Sequence, residues 1–198
     1  MSRDITIGVL ALQGDFEQHL FQLSALGVNG REVRRKEDLS GLDGLIIPGG
    51  ESTTMSELID RFGMRHDLKE FCSTKPVWGT CAGMILLAKE VDDHRVRPLN
   101  VIDLSVVRNG YGRQINSFFA EVPANLNGSE TTLKASFIRA PLVSDYGPEV
   151  RVLATHCESP VLLAQKNCLV SSFHTELHDD LSLTRYFLDG FVVGVRQS

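Results

Sequence analysis

Cys81 stands in Gly79-Thr80-Cys81-Ala82-Gly83, after the short apolar stretch Pro76-Val77-Trp78 and ahead of the apolar run Met84-Ile85-Leu86-Leu87-Ala88. This is a G-x-C-x-G elbow, the thiol counterpart of the strand–turn–helix device that exposes a serine nucleophile. The flanking glycines permit a tight turn and let a substrate carbonyl approach the backbone closely. The helix expected to follow directs free backbone N–H groups and partial positive charge at the sulfur, which favours the reactive thiolate. A thiol attacking an amide or ester also needs a base, and the base needs an orienting group. His174-Thr175-Glu176, just after the apolar run Leu169-Val170-Ser171-Ser172-Phe173, supplies both. His174 can hold or take the proton; Glu176 can fix its tautomer and stabilise the imidazolium. The tetrahedral oxyanion needs preorganised donors. Candidates are the backbone N–H of Ala82 and a backbone N–H of the Gly49-Gly50 turn.

Other residues compete for these roles. His156, at a strand end, is the rival for the base. His19, His66, His94 and His178 read as solvent-exposed helix or loop residues. Of the four cysteines, Cys72, Cys157 and Cys168 read as buried, inert thiols. No C-x-x-C spacing is present, so neither a zinc site nor a dithiol redox pair is suggested. An H-x-E triplet alone is a weak pattern; its weight comes from the elbow upstream.

The elements that must position these groups alternate in the first half of the chain. Residues 5–11 read as a buried strand ending in Leu12-Gln13-Gly14. Residues 15–26 carry Phe16, Leu20, Leu23 and Leu26 at helical spacing, with Gly27 as the stop. Residues 44–47 form a second strand closed by Pro48-Gly49-Gly50, Ser52 can cap a helix to about Arg61, and a further helix fits 64–71. Val77-Trp78 is the third central strand. Such alternation implies parallel pairing with helices on both faces, and functional loops at the carboxyl ends of the strands. Three glycine-containing loops fall there: Gln13-Gly14, Gly49-Gly50-Glu51 and the Cys81 elbow. In the second half, short strand-like runs cover 101–108, 117–122, 133–138, 151–155, 161–164 and 169–173, before a last helix at about 181–188. One α/β domain over residues 1–198 is expected, with a mainly parallel central sheet.

A formal charge of −5 argues against a nucleic-acid-binding surface. The one dense basic cluster, Arg31 to Lys36, is interrupted by Glu32 and Val33 and reads as a solvated strand edge. The start of the chain does not read as a signal peptide, and no apolar run approaches a membrane span. A cytoplasmic protein with reduced cysteines is the expectation.

With these residues assembled, the chain resembles the class I glutamine amidotransferases and, within them, the glutaminase subunits of pyridoxal 5′-phosphate synthase. The resemblance rests on Gly8-Val9-Leu10-Ala11-Leu12-Gln13-Gly14, on Ile46-Ile47-Pro48-Gly49-Gly50-Glu51-Ser52-Thr53-Thr54, and on Trp78-Gly79-Thr80-Cys81-Ala82-Gly83. Arg108-Asn109-Gly110-Tyr111-Gly112-Arg113-Gln114, Ser117-Phe118 and Phe137-Ile138-Arg139-Ala140-Pro141 extend it over nearly the whole chain. It implies a flavodoxin-like glutamine amidotransferase fold and a Cys81, His174, Glu176 triad acting on the side-chain amide of L-glutamine. It also implies a glutamine-binding set of Gly49, Gly50, Glu51, Arg108, Ile138 and Arg139, with Gly50 and Ala82 at the oxyanion hole. Gln13 would belong to a loop activated by the partner, a (β/α)8-barrel synthase subunit that receives the ammonia. No metal and no cofactor are implied for this chain, which would not itself bind pyridoxal phosphate.

Three departures stand out. Thr175 replaces a usual proline, the 89–99 connection is short and charged, and Asn100 stands where glycine is common. Rival readings are a glutaminase serving another pathway, a free-standing thiol hydrolase on the same fold, and a catalytically silent scaffold.

Overall fold

The structure, a computed structural model, describes residues 5–110 and 117–194. In chain order the elements are β1 (Thr6–Leu10), α1 (Phe16–Ala25), β2 (Asn29–Val33), β3 (Gly44–Ile47), α2 (Ser52–Arg61), α3 (Arg65–Thr74), β4 (Val77–Thr80) and α4 (Ala82–Leu87). There follow β5 (Ala88–Val91), β6 (Ile102–Val107), β7 (Ser117–Leu126), β8 (Ser129–Ile138), β9 (Leu142–Tyr146), β10 (Arg151–His156), β11 (Ser159–Gln165), β12 (Cys168–Ser171) and α5 (Ser182–Phe187), which continues as a π-helical turn over Leu188–Val193.

The main sheet has the order β2-β1-β3-β4-β12-β11-β10-β7-β8. From β2 to β12 every neighbouring pair is parallel. From β12 to β8 every pair is antiparallel. The parallel sheet of the expectation is therefore one half of a mixed sheet, and antiparallel strands from the second half of the chain extend it. Residues alternate across it as a doubly covered sheet requires. Leu45, Ile47, Val77, Cys168 and Val170 face a core closed by α2, α3 and α4. Ile7, Val9, Ile46, Trp78 and Leu169 face the other, closed by α1, α5 and the π turn. Trp78 is wholly buried there against Phe187, ring centroids 5.9 Å apart; truncating a core aromatic of this kind costs roughly 3–5 kcal/mol.

β5, β6 and β9 make a small second sheet; of these only β6 was legible as a strand. The basic cluster begins in β2, on the sheet edge, and two of its charges are locally spent. Arg34 pairs with Glu32 at 2.7 Å and lies over the Phe16 ring, while Arg31 donates to the carbonyls of Asp38 and Ser40. Asn100 adopts φ 56°, the left-handed backbone that asparagine tolerates in place of glycine. The cap of α2 is Glu51 rather than Ser52, its carboxylate accepting from the Thr53 and Thr54 N–H groups. Among the described residues, no helix is long and apolar enough to cross a membrane. Tyr111 to Gln114, including Arg113, lie outside the described residues.

Candidate active site

The elbow forms where β4 meets α4. Cys81 itself takes the strained φ of 49°, a left-handed conformation costing about 1–3 kcal/mol in a non-glycine residue. Its N–H is anchored on the Ser171 carbonyl of β12 at 2.8 Å. The two glycines serve close packing rather than the turn. A Cβ on Gly83 would sit 2.0 Å from the Ile47 carbonyl oxygen, and one on Gly79 would sit 2.6 Å from the Gly83 backbone. Their absence lets β3, β4 and α4 close on one another and fixes where the sulfur emerges. The Cys81 Sγ lies 3.7 Å from the Ile138 carbonyl oxygen.

His174 follows β12 and is pinned by a two-way backbone bridge to Ser136 of β8, at 2.9 and 3.0 Å. Its Nδ1 is 2.6 Å from Glu176 Oε1, leaving Nε2 for the Cys81 thiol, which lines the same cavity as the ring. Both side chains are buried. Burial pushes the His174 imidazolium toward losing its proton, but its contacts with Cys81 and Glu176 outweigh that and hold the ring well above its usual value. Burial likewise pushes the Glu176 carboxyl up, and its pairing with His19 and His174 outweighs that and holds it far below the usual carboxylate range. The arrangement therefore favours a charged imidazolium–carboxylate pair next to the sulfur.

These groups open into a cavity of about 270 Å³ lined by Gln13, Gly14, Asp15, Gly50, Glu51, Ser52, Cys81, Ile85, Arg108, Asn109, Ile138, Arg139 and His174. All three glycine loops at the carboxyl ends of the strands thus converge. Gln13 Oε1 accepts from the Glu51 N–H at 2.7 Å. Gly49 packs against the Cε1 edge of the His174 ring, where an added Cβ would lie 2.2 Å from Cε1, and its carbonyl accepts from the Asp15 N–H at 3.1 Å. Ala82, the first residue of α4, is buried behind the sulfur. Arg108 donates to Glu51 at 2.9 Å and also to Asp93. Burial raises the Glu51 carboxyl, yet hydrogen bonds from Thr53 and Thr54 bring it down to about 2. Arg139 sits exposed at the mouth with φ 46°.

Several side chains fall elsewhere than expected. His156 is stacked on Phe118 and Phe137, centroids 5.5 and 5.3 Å away, and takes no place in the cavity. His19 is fully buried behind Glu176 rather than exposed, because α1 turns that face onto Trp78. His178 is half-buried, bound to Ser136 Oγ at 2.9 Å and edge-on to Phe119. Cys157 is exposed, since it occupies the β10–β11 hairpin turn with φ 47°. Cys72 and Cys168 are buried as expected, and burial pushes both thiols up, Cys72 to about 12. Asp15 and Asp93 joined the site without a sequence signal; only their place in loops at strand ends could have marked them. Asp15, His174 and Glu176 bring donor atoms within 4.8 Å of one another. A cation there would have to break the 2.6 Å His174–Glu176 contact, so the cluster fits a base and its partner better than a metal site.

Comparison with known proteins identifies the family. The chain is 50% identical over 184 residues to the pyridoxal 5′-phosphate synthase subunit PdxT of Thermosipho africanus, covering 92% of this chain and 97% of the relative. The PdxT of Fervidobacterium nodosum is 50% identical over 183 residues, covering 92% and 95%. A solved glutamine amidotransferase superposes with a TM-score of 0.86 at 43% identity, over 92% of this chain and 97% of that one. A glutamine amidotransferase from Thermotoga maritima, 13% identical with a TM-score of 0.59 over 98% of this chain and 85% of that one, shares the fold alone. The profile of the SNO glutamine amidotransferase family matches residues 9–193, and with relatives this similar over nearly their whole length, the chain belongs to that family of glutaminases.

Proposed function

We propose that this chain, acting as one domain, hydrolyses L-glutamine to L-glutamate and ammonia, with Cys81 as nucleophile, His174 as proton carrier and Glu176 as its orienting carboxylate. The observation that carries the reading is the buried line from the Cys81 thiol through His174 to Glu176, at the floor of a cavity large enough for an amino acid. The thiolate attacks the side-chain amide carbon, the C–N bond breaks, and the imidazolium proton leaves with the nitrogen as ammonia. His174 then takes a proton from water, which attacks the thioester and releases glutamate. Gly50 and Ala82 are the proposed oxyanion donors. Glu51, Arg108 and Arg139 surround the amino-acid end, where charged groups suit an α-ammonium and an α-carboxylate, while Gly49 and Ile138 of the same proposed glutamine-binding set lie against the His174 ring and the Cys81 sulfur.

The ammonia is proposed to pass to a (β/α)8-barrel synthase subunit that builds pyridoxal 5′-phosphate from a pentose and a triose phosphate, in the cytoplasm. The relatives named above are, by name, subunits of pyridoxal 5′-phosphate synthase, which supports the reading. The Gln13 contact to the Glu51 backbone supports a partner-sensitive site, because anything pressing on that loop is felt at the Gly50-Glu51 turn. The test is glutamate release from glutamine with and without the synthase subunit. Strong stimulation is expected. Equal release in both samples would indicate a free amidohydrolase, and none in either would indicate a silent scaffold.

A further inference from the structure

We propose that His19 is a positioning residue for the reaction: from helix α1 it holds the carboxylate that holds the base. This rests on the glutaminase reading above and adds a fourth side chain to it. His19 is wholly buried, with its Nε2 3.5 Å from Glu176 Oε1 and 3.3 Å from Thr80 Oγ1. Thr80 immediately precedes Cys81, so the imidazole bridges the nucleophile elbow and the loop that carries the base. Trp78 fixes the ring's plane by an edge contact, centroids 5.3 Å apart at 85°.

A buried imidazole is costly unless its polar atoms are used. Among the described residues, Nδ1 of His19 has no partner. A proton there would be a stranded donor, and Nε2 would turn a lone pair toward a carboxylate. With the proton on Nε2 instead, a donor faces Glu176 and Thr80 and the unmet atom is only an acceptor. Glu176 needs that donor. Its Oε1 is shared by His174 and His19, and its Oε2 has no partner among the described residues. Without His19 the carboxylate is held at one point and can rotate, carrying His174 off the line to the sulfur.

One turn along the same helix, Gln22 grips the backbone of that loop. Its Nε2 donates to the carbonyls of Thr175 at 3.4 Å and Asp180 at 3.2 Å, and its Oε1 accepts from Thr184 at 2.6 Å. The division of labour is clear: Gln22 holds the loop's main chain and His19 its functional group.

The experiment compares glutamate release by the complex with the synthase subunit for wild type, His19→Met and His19→Gln, each also combined with Glu176→Gln. Intact sites are counted by alkylation of Cys81 with a glutamine-like chloroketone. His19→Met should lower kcat per intact site on the order of tenfold to a hundredfold, with KM within about twofold. His19→Gln, whose amide N–H reaches the place of Nε2, should regain most of the rate. In the Glu176→Gln background His19→Met should cost nothing more. Wild-type kcat in His19→Met, equal losses in both substitutions, or the same loss without the carboxylate would each overturn the proposal. If His19→Met does not fold, nitrogen-15 shifts of labelled histidine in the wild-type chain decide: a proton on Nε2 supports the contact, one on Nδ1 overturns it. A wild-type complex that releases no glutamate removes the glutaminase reading instead, and the nitrogen shifts still judge the His19 contact.

Discussion

The two ends of the one cavity are built on opposite principles. At the thiol end, Cys81, His174 and Glu176 are 6%, 3% and 3% exposed and hang from the ends of fully buried strands. At the other end, Glu51, Arg108 and Arg139 stand on loops and strand ends near solvent. There Arg108 is shared between Glu51 and Asp93, and Asp93 is shared again with Arg95. Proton transfer needs fixed geometry and a low dielectric, where each charge acts strongly. Recognition of a zwitterion needs charges that can exchange one partner for another as substrate arrives. Damage at the buried end should therefore appear in kcat, and damage at the exposed end in KM.

The largest expected effect is that of Cys81→Ala, which should cut glutamine turnover about 10⁴-fold or more. The fold should persist, because alanine meets the same strained φ and the N–H to Ser171 remains. Turnover near the wild-type rate, measured as glutamate release in the complex, would remove the nucleophile from this end altogether. Gly49→Ala comes next. Its Cβ would meet His174 Cε1 at 2.2 Å, and the ring cannot swing aside without leaving Glu176, 2.6 Å from its Nδ1. A displacement of that order should lower kcat by about a hundredfold with KM little changed. A rise in KM alone would show that Gly49 belongs functionally to the recognition end.

The same contrast explains what the sequence could disclose. The buried end was legible because its constraints are local: a strand, a turn and a helix write themselves as Val77-Trp78, Gly79 to Gly83 and Met84 to Ala88. The glycine pattern was legible, yet its reason was not. Gly83 is required by the Ile47 carbonyl of another strand, and a pairing between segments leaves no local mark. His19 was misjudged for the same reason, since a polar residue on a helix face reads as solvent-facing until the face is seen to pack on Trp78. At the exposed end Asp93 was invisible, as a charge in a charged loop carries no signal until the fold brings it to Arg108. β5 and β9 escaped because short half-exposed strands lack the apolar run that marks β1 or β3.

At the recognition end, Arg108→Lys keeps the charge but loses the planar fork that spans Glu51 and Asp93 at once. It should raise KM for glutamine about tenfold and leave kcat within about threefold. Steady-state kinetics over a glutamine series check this, and a fall confined to kcat would mean that Arg108 aligns the amide rather than binding the amino-acid end.

The smallest effect separates charge from shape at Glu51. Burial pushes its carboxyl up, the Thr53 and Thr54 hydrogen bonds outweigh this, and the folded value settles at about 2 against 4.5 unfolded. A depressed carboxylate stabilises the fold above its unfolded value, and that contribution is lost as pH falls through the folded one. The side chain is 36% exposed, so solvent screening keeps the effect to about 1 kcal/mol or less. Glu51→Gln should therefore be slightly less stable than wild type in urea at neutral pH, and the two curves should converge as pH falls from 4.5 toward 2. The thiol end has the opposite sign. His174 is raised, so its contribution is present below its unfolded value near 6.5 and is lost as pH climbs toward the folded one. Acid should thus loosen the recognition loop through Glu51, and alkali the catalytic loop through His174. A Glu51→Gln deficit that stays constant down to pH 2 would show that Glu51 acts through the shape of its cap on α2 rather than through its charge.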